Sequence, residues 1–554
     1  MNTSKFLHTL SLILLLATTT GFVAVGQQAS PPPGSDAFDR ASAKSKSRIV
    51  AAATGPRSSP FEPPDSNDHS FLTDAAPKLD TGCLFRSSGP ITYNIEITRH
   101  VGELNPDGTL KNAAALVAAG LLSPTATLIM PAFDVDSGAV LQAPNQPERD
   151  RVSFNGEVLG FLSGEDGEWK LNSFEVPIAK VKFAARGANG SLPAPAVNEI
   201  RIDIDTANSD ELWCTSIDWG SQSFKAMSPI ILIHGNNSDG GFFTRQGFTG
   251  FLDSRHLLYD NSIKLPTASI AENAKTLNDL IPGIIKSFGV DSAHLVVHSK
   301  GGLDSREYLA NFQSTHDNDF KFLSYTSLST PHNGSAAADL LVQRSNALQV
   351  TSNIDFVGFP TFTQTVAEQT APDAGTPNLT TTFLSGFNTT NLPRLPANMV
   401  FNTVAADADR NGNGEIDRNP DEYAELRAES ATLTALDNEF LGHTKSRIAV
   451  NAVYQLLRTT GSVTLTYRTE RRFFGGTRTV AVLTSVPNAT QLGNDVLVTL
   501  PSGQGAGTFA NRVTNTTTFT GAEGRNHSSV ANAGVAVRVV PWIIDVEKTR
   551  GDLH

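Results

Sequence analysis

At 554 residues the chain has room for about three or four domains of roughly 150 residues each, so a small scaffold held only by disulfides or a metal is excluded. With 39% apolar and 18% charged residues it is neither disordered throughout nor a multi-span membrane protein. A net charge of −12 repels phosphate backbones and argues against a nucleic-acid partner. The two cysteines, Cys83 and Cys214, form no C-x-x-C pair, which excludes cysteine-rich zinc modules and iron–sulfur ligation.

Lys5 precedes an apolar run, Leu10 to Ala17, and small residues follow at Ala24-Val25-Gly26. Residues 1–26 read as a secretory signal peptide, too short in its apolar core to span a bilayer, and predict a secreted or periplasmic protein. Export makes a Cys83–Cys214 bridge reasonable; two buried thiols are the alternative. Residues 27–79 are rich in Pro, Ser and Ala and read as a flexible spacer. Residues 80–228 carry period-2 stretches such as Ile91–Ile97 and Glu199–Ile204 and predict a β-rich, sandwich-like accessory domain.

From 229 to 460 the pattern changes. Short continuous apolar runs, Ile230–Ile233, Leu295–Val297, Phe322–Tyr325 and Met399–Phe401, alternate with helical stretches. This predicts an α/β domain with a mostly parallel sheet buried on both faces. Within it, 340–396 shows no clear period; with Phe356, Phe359 and Phe362 it reads as a candidate lid over an apolar site, or as a surface insertion. Residues 461–548 alternate again and predict a C-terminal β-rich domain.

The segment Leu295–Leu303 carries the chemistry. An apolar strand runs into Ser299, then Gly301 and Gly302, then a helix. A serine on such a turn is lifted out of the sheet toward a helix N-terminus, which favours negative charge; the bland alternative is a helix cap. Ile230–Ile233 ends in His234-Gly235-Asn236. The N–H groups of Asn236 and Lys300 are therefore candidates for an oxyanion hole, with the Lys300 side chain expected in solvent.

The order His234-Gly235-Asn236, His298-Ser299-Lys300-Gly301-Gly302 and Thr330-Pro331-His332-Asn333-Gly334-Ser335 resembles α/β-hydrolases of the secreted bacterial lipase and esterase type. The resemblance covers 229–457. Val297 stands where the Gly-x-Ser-x-Gly elbow has its first glycine, which predicts a slightly remodelled turn.

A triad needs an acid and a histidine after the serine. Two pairs compete. Asp407 follows the run Met399 to Ala406, and His443 precedes a helical stretch. Asp495 precedes Val496-Leu497-Val498, and His527 precedes a β-branched segment containing Pro541. Because that last segment is a poor helix former, Asp407 and His443 are preferred, with Asp409, Asp417 and Asp421 as further acids. Asp409, Asn411, Asn413 and Glu415, with Gly414 sixth and Ile416 eighth, also resemble the start of a calcium loop, although Pro420 stands where the bidentate Glu belongs. A structural Ca2+ would brace this loop; a polar turn is the alternative.

The resulting expectation is a secreted serine ester hydrolase in which Ser299, His443 and Asp407 act on a lipid or other hydrophobic ester, in contact with a lipid surface and with no organic cofactor required. The same machinery would suit a phospholipase or an acyltransferase. The alternative class is an extracellular binding or adhesion protein with a silent hydrolase-like domain.

Overall fold

A computed structural model describes residues 59–67, 69–73, 84–139, 146–209, 213–340, 342–343, 354–357, 374–417, 422–423, 444–471, 476–507 and 509–553. The signal segment, Cys83, Phe359, Phe362, Asp421 and His443 lie outside these residues. Cys214 is disulfide-bonded. No helix among the described residues is long and apolar enough to cross a membrane.

In chain order the strands are β1 (Ser70–Thr73), β2 (Leu84–Phe85), β3 (Ile91–Ile97), β4 (Thr125–Phe133), β5 (Arg151–Phe154), β6 (Glu157–Phe161), β7 (Trp169–Pro177), β8 (Ala196–Asp203), β9 (Cys214–Ile217), β10 (Gly220–Ser223), β11 (Ile230–Ile233), β12 (Tyr259–Asp260), β13 (Ser292–His298), β14 (Lys321–Leu328), β15 (Ile354–Val357), β16 (Val400–Ala406), β17 (Thr460–Arg471), β18 (Thr477–Pro487) and β19 (Val513–Phe519).

The central sheet has the order β12-β11-β13-β14-β16-β19, and every neighbouring pair is parallel. Strands covered on both faces need continuous apolar runs, and β11 and β13 are buried at every residue. The crossover helix Ile270–Phe288 starts on a Ser269/Glu272 capping box and stops at Gly289, φ +66°. Its residues Ala274, Leu277, Ile281 and Ile285 recur at helical spacing and pack on Ile231, Leu295 and Val297. A second helix, Lys300–Asn311, links β13 to β14. This is the α/β-hydrolase fold that the sequence predicts.

Ahead of it, β1 to β10 form two antiparallel sheets, β1-β10-β4-β9-β2 with β7 on β4, and β3-β8-β5-β6. β3 alternates buried and exposed along its length, as a strand with one wet face must. Buried Ile95, Met130 and Phe154 belong to a cluster that continues into Phe243, Phe248, Val535 and Ile543 of the hydrolase unit.

Two predicted boundaries need correction. Part of the spacer 27–79 is built into the fold: β1 pairs with β10, and Trp219 Nε1 donates to the Phe61 carbonyl at 3.0 Å. Residues 461–548 do not form a separate β-rich domain. β17 and β18 pair as a hairpin with β15 alongside, whereas β19 completes the central sheet on β16 and Ala533–Arg550 is a helix. Val535, Ala536, Val539, Val540 and Ile543 of that helix, four of them β-branched, recur at helical spacing and are all buried. Burial at helical spacing overrides weak intrinsic propensity. Within the candidate lid, 354–357 is a strand and Thr381–Asn391 a helix.

Glu148 and Asp150 are both fully buried in the β module, bond to each other, and both lie within hydrogen-bond reach of the Thr215 hydroxyl. Burial, then the Asp150 charge, pushes the Glu148 carboxyl well above its usual range. An acid raised in the folded state contributes most below its unfolded value of about 4.3, and that contribution drains as pH rises toward the folded value. The melting temperature should therefore fall between pH 5 and 9, and Glu148→Gln should flatten the fall. Calorimetry showing the same slope in both proteins would contradict this origin.

Candidate active site

Ser299 links the last residue of β13 to the first of the helix Lys300–Asn311, at φ +52° and ψ −130°. A non-glycine residue holds such a conformation only when its surroundings impose it. Here they do. A Cβ on Gly301 would stand 2.1 Å from the His234 carbonyl, and one on Gly302 2.1 Å from Thr330 Oγ1. A Cβ on Gly235 would stand 2.7 Å from Ser299 Cβ. The glycines let β11, the elbow and the helix close on one another. Val297 is fully buried and packs with Ile233 and Leu295 in the cluster that includes the helix Ile270–Phe288.

Ser299 Oγ lies 2.8 Å from His527 Nε2, and His527 Nδ1 lies 2.9 Å from Asp495 Oδ2. The carboxylate is held in turn: Asp495 Oδ1 accepts N–H from Leu497 at 2.9 Å and from Val498 at 2.7 Å. These bonds wrap the chain so tightly that Val496, a β-branched residue, sits at φ +83°. The His527 N–H donates to the Asp495 carbonyl at 2.9 Å, which ties the two loops together through the main chain. Serine, acid and histidine follow one another along the chain in the order Ser299, Asp495, His527, which is the second of the two predicted pairs.

The preference for Asp407 and His443 is therefore corrected. His527 occupies the hydrogen-bonding position at Ser299. Asp407 Oδ1 accepts from the Tyr454 hydroxyl at 2.9 Å and from the N–H groups of Asp409 and Asn494, and burial raises its pKa. Asp407 thus braces the residue before Asp495, and among the described residues no imidazole hydrogen-bonds to it.

Asn236 lines one small cavity with Ser299, His527, Ala338, Leu379, Leu497 and Val498. Lys300 opens the helix after Ser299, where main-chain N–H groups lack intrahelical acceptors. Its side chain is not in solvent as expected: Nζ is fully buried, 2.7 Å from Asp304 Oδ1, and Asn273 Nδ2 donates to the other carboxylate oxygen. Burial raises Asp304 to about 6 despite that partner. His234 is also buried; its Nδ1–H donates to the Gly235 carbonyl and its Nε2 accepts from Leu265 N–H.

The calcium loop closes on itself. Asp409 accepts N–H from Gly412 and Gly414, Asn411 and Asn413 both donate to Asp417, and Glu415 is exposed. Both Glu422 oxygens accept main-chain N–H, and the Arg458 guanidinium stands 3.8 Å from Asp409. A cation asking for six to eight oxygens does not fit a carboxylate already facing a guanidinium.

No family model matches the chain. Triacylglycerol lipase 2 of Saccharomyces cerevisiae is 37% identical over 93 residues, 16% of this chain and 28% of the yeast protein's length. A Bacillus licheniformis lipase in its mature form superposes with a TM-score of 0.33 at 16% identity, over 57% of this chain and 92% of that one. A metagenomic carboxyl esterase gives a TM-score of 0.26 at 14% identity, over 56% and 75%. The fold assignment stands on the strand order and the elbow.

If Asp407 is a brace, Asp407→Ala should lower the melting temperature yet leave Ser299 reactive to a fluorophosphonate, while Asp495→Ala should slow that labelling at least about 100-fold. Equal labelling rates in the two variants would reverse the assignment.

Proposed function

We propose that the protein is a secreted serine ester hydrolase of lipase or esterase type. The observation that carries the reading is the continuous hydrogen-bonded path from Ser299 Oγ through His527 to Asp495 at a strained strand-to-helix elbow. Ser299 attacks the acyl carbonyl while His527 Nε2 takes its proton. Asp495, anchored by two amides, fixes the ring and stabilises the imidazolium. The N–H groups of Asn236 and Lys300 hold the oxyanion. Collapse expels the alcohol with the proton from His527, leaving an acyl-enzyme that water hydrolyses by the same steps. The buried Lys300 side chain supports the role of its amide, because the ion pair to Asp304 pins the first turn of the helix. Leu379, Leu497 and Val498 give the cavity an apolar wall, which suits an acyl chain and a lipid or other hydrophobic ester as partner. Residues 1–26 supply the export signal.

A p-nitrophenyl ester series tests this. Ser299→Ala and His527→Ala should each lower kcat by roughly 10⁴-fold or more, and His443→Ala should retain wild-type kcat. Wild-type protein that folds but neither turns over any ester nor accepts a fluorophosphonate would favour the silent binding protein. A dead His443→Ala beside an active His527→Ala would overturn the triad alone.

A further inference from the structure

We propose that His298 is a positioning residue for the general base, holding His527 in place by donating Nε2–H to the His527 carbonyl. The inference rests on the reading of Ser299, His527 and Asp495 as the triad.

His298 Nε2 lies 2.7 Å from the His527 oxygen. A carbonyl only accepts, so the hydrogen sits on Nε2. Nδ1 is then a bare acceptor, and it is buried without a hydrogen-bond partner. A buried histidine that leaves half of its polarity unused is kept for the other half. Its ring is 1% exposed, stacks on Phe242 at 4.4 Å and 27°, and lies 4.8 Å from the His527 ring. A Cβ on Gly235 would reach within 3.0 Å of Nδ1. The imidazole is thus wedged between the oxyanion loop, an aromatic wall and the base. Burial, and then the charge of His527, keep it neutral, so the single donor persists while His527 carries a proton.

The bond also completes a clamp. The His527 N–H is tied to the Asp495 carbonyl, and the His527 carbonyl is tied to His298. Main-chain groups on both sides of the base are therefore fixed to the acid loop and to the residue beside the nucleophile. Releasing one side lets the ring drift from Ser299, and a displacement near 1 Å costs on the order of 100-fold in rate.

The test compares His298→Phe, which keeps a stacking ring without the donor, with His298→Gln, whose amide N–H has similar reach. His298→Asn, too short to reach the carbonyl, is a second donor-less variant should the Phe protein not fold. Kinetics on a p-nitrophenyl ester are paired with amide hydrogen exchange across 525–530, the latter repeated in a Ser299→Ala background. The donor-less variants should lose about 10- to 100-fold in kcat with KM little changed, and exchange at 525–530 should speed up; His298→Gln should recover most of both. Wild-type kcat in His298→Phe, or a His298→Gln protein as impaired as His298→Phe, overturns the proposal. Wild-type protein without Ser299-dependent turnover defeats the hydrolase reading instead. Unchanged exchange between Ser299→Ala and its His298→Phe double variant still overturns the clamp in that case.

Discussion

Ser299 has to turn the chain from a buried strand into a buried helix within one residue, and the φ of +52° follows from that demand. A non-glycine residue in such a conformation costs about 1–3 kcal/mol. The cost is offset by what lies on either side. β13 is buried along its whole length, and the first turns of the following helix press against the His234 carbonyl and Thr330 so closely that only glycine fits at 301 and 302. The same compression brings Gly235 against Ser299 Cβ. Ser299, the His234–Asn236 loop and the helix terminus are therefore set by one packing problem.

The proposed acid and base come from loops late in the chain, and their geometry is hydrogen-bonded where the serine's is packed. Asp495 is fixed by two amides across a strained Val496, and His527 by the Asp495 carbonyl on one side and His298 on the other. Behind them Asp407 and Tyr454 hold Asn494 from the end of β16. Asp495 and His527, the acid and base of the proposed triad, thus each have further groups that fix their frames.

The strand-Ser-x-Gly-Gly segment was legible because it is local: an apolar run, a hydroxyl and two glycines name a conformation without help from the rest of the chain. The histidine that meets Ser299 was not, because the choice between His443 and His527 turned on whether 533–550 is helical. Val535, Val539, Val540 and Ile543 are individually poor helix formers, and Pro541 is worse. Yet Asn532 caps the segment by accepting from Val535 N–H, Gly551 ends it at φ +84°, and its apolar residues fall at helical spacing. Period was the better guide than propensity. Asp407 misled for a different reason. It does stand at the end of a central strand, one main-chain bond from the acid loop, but no local feature distinguishes a carboxylate that accepts from Tyr454 from one that meets an imidazole. The edge strand β19 was missed because Val513–Phe519, rich in Thr and only partly buried, reads like any solvent-facing strand.

The two ends of the parallel sheet are put to different uses. Ser299, the His234–Asn236 loop and Asp407 all follow the carboxyl ends of their strands, where open α/β sheets place their chemistry. The β module meets the opposite end. Arg99 donates to the carbonyls of Ala226 and Met227 just before β11, Arg186 pairs with Asp260, which is in register with Ile231 near the start of that strand, and Gly187 and His100 bond to Ser287 and Phe288 just before β13. The C-terminal helix is tied down at the same end: His294 bonds to Glu547, which also accepts from Ser228 N–H. Fixing strand starts in this way orders the frame from which the elbow is projected, while the carboxyl ends are left to be shaped by loops. The strands between module and site, β11 and β13, are buried along their whole length. At their other ends β11 and β13 carry the His234–Asn236 loop and Ser299, the groups to which the proposed chemistry is assigned.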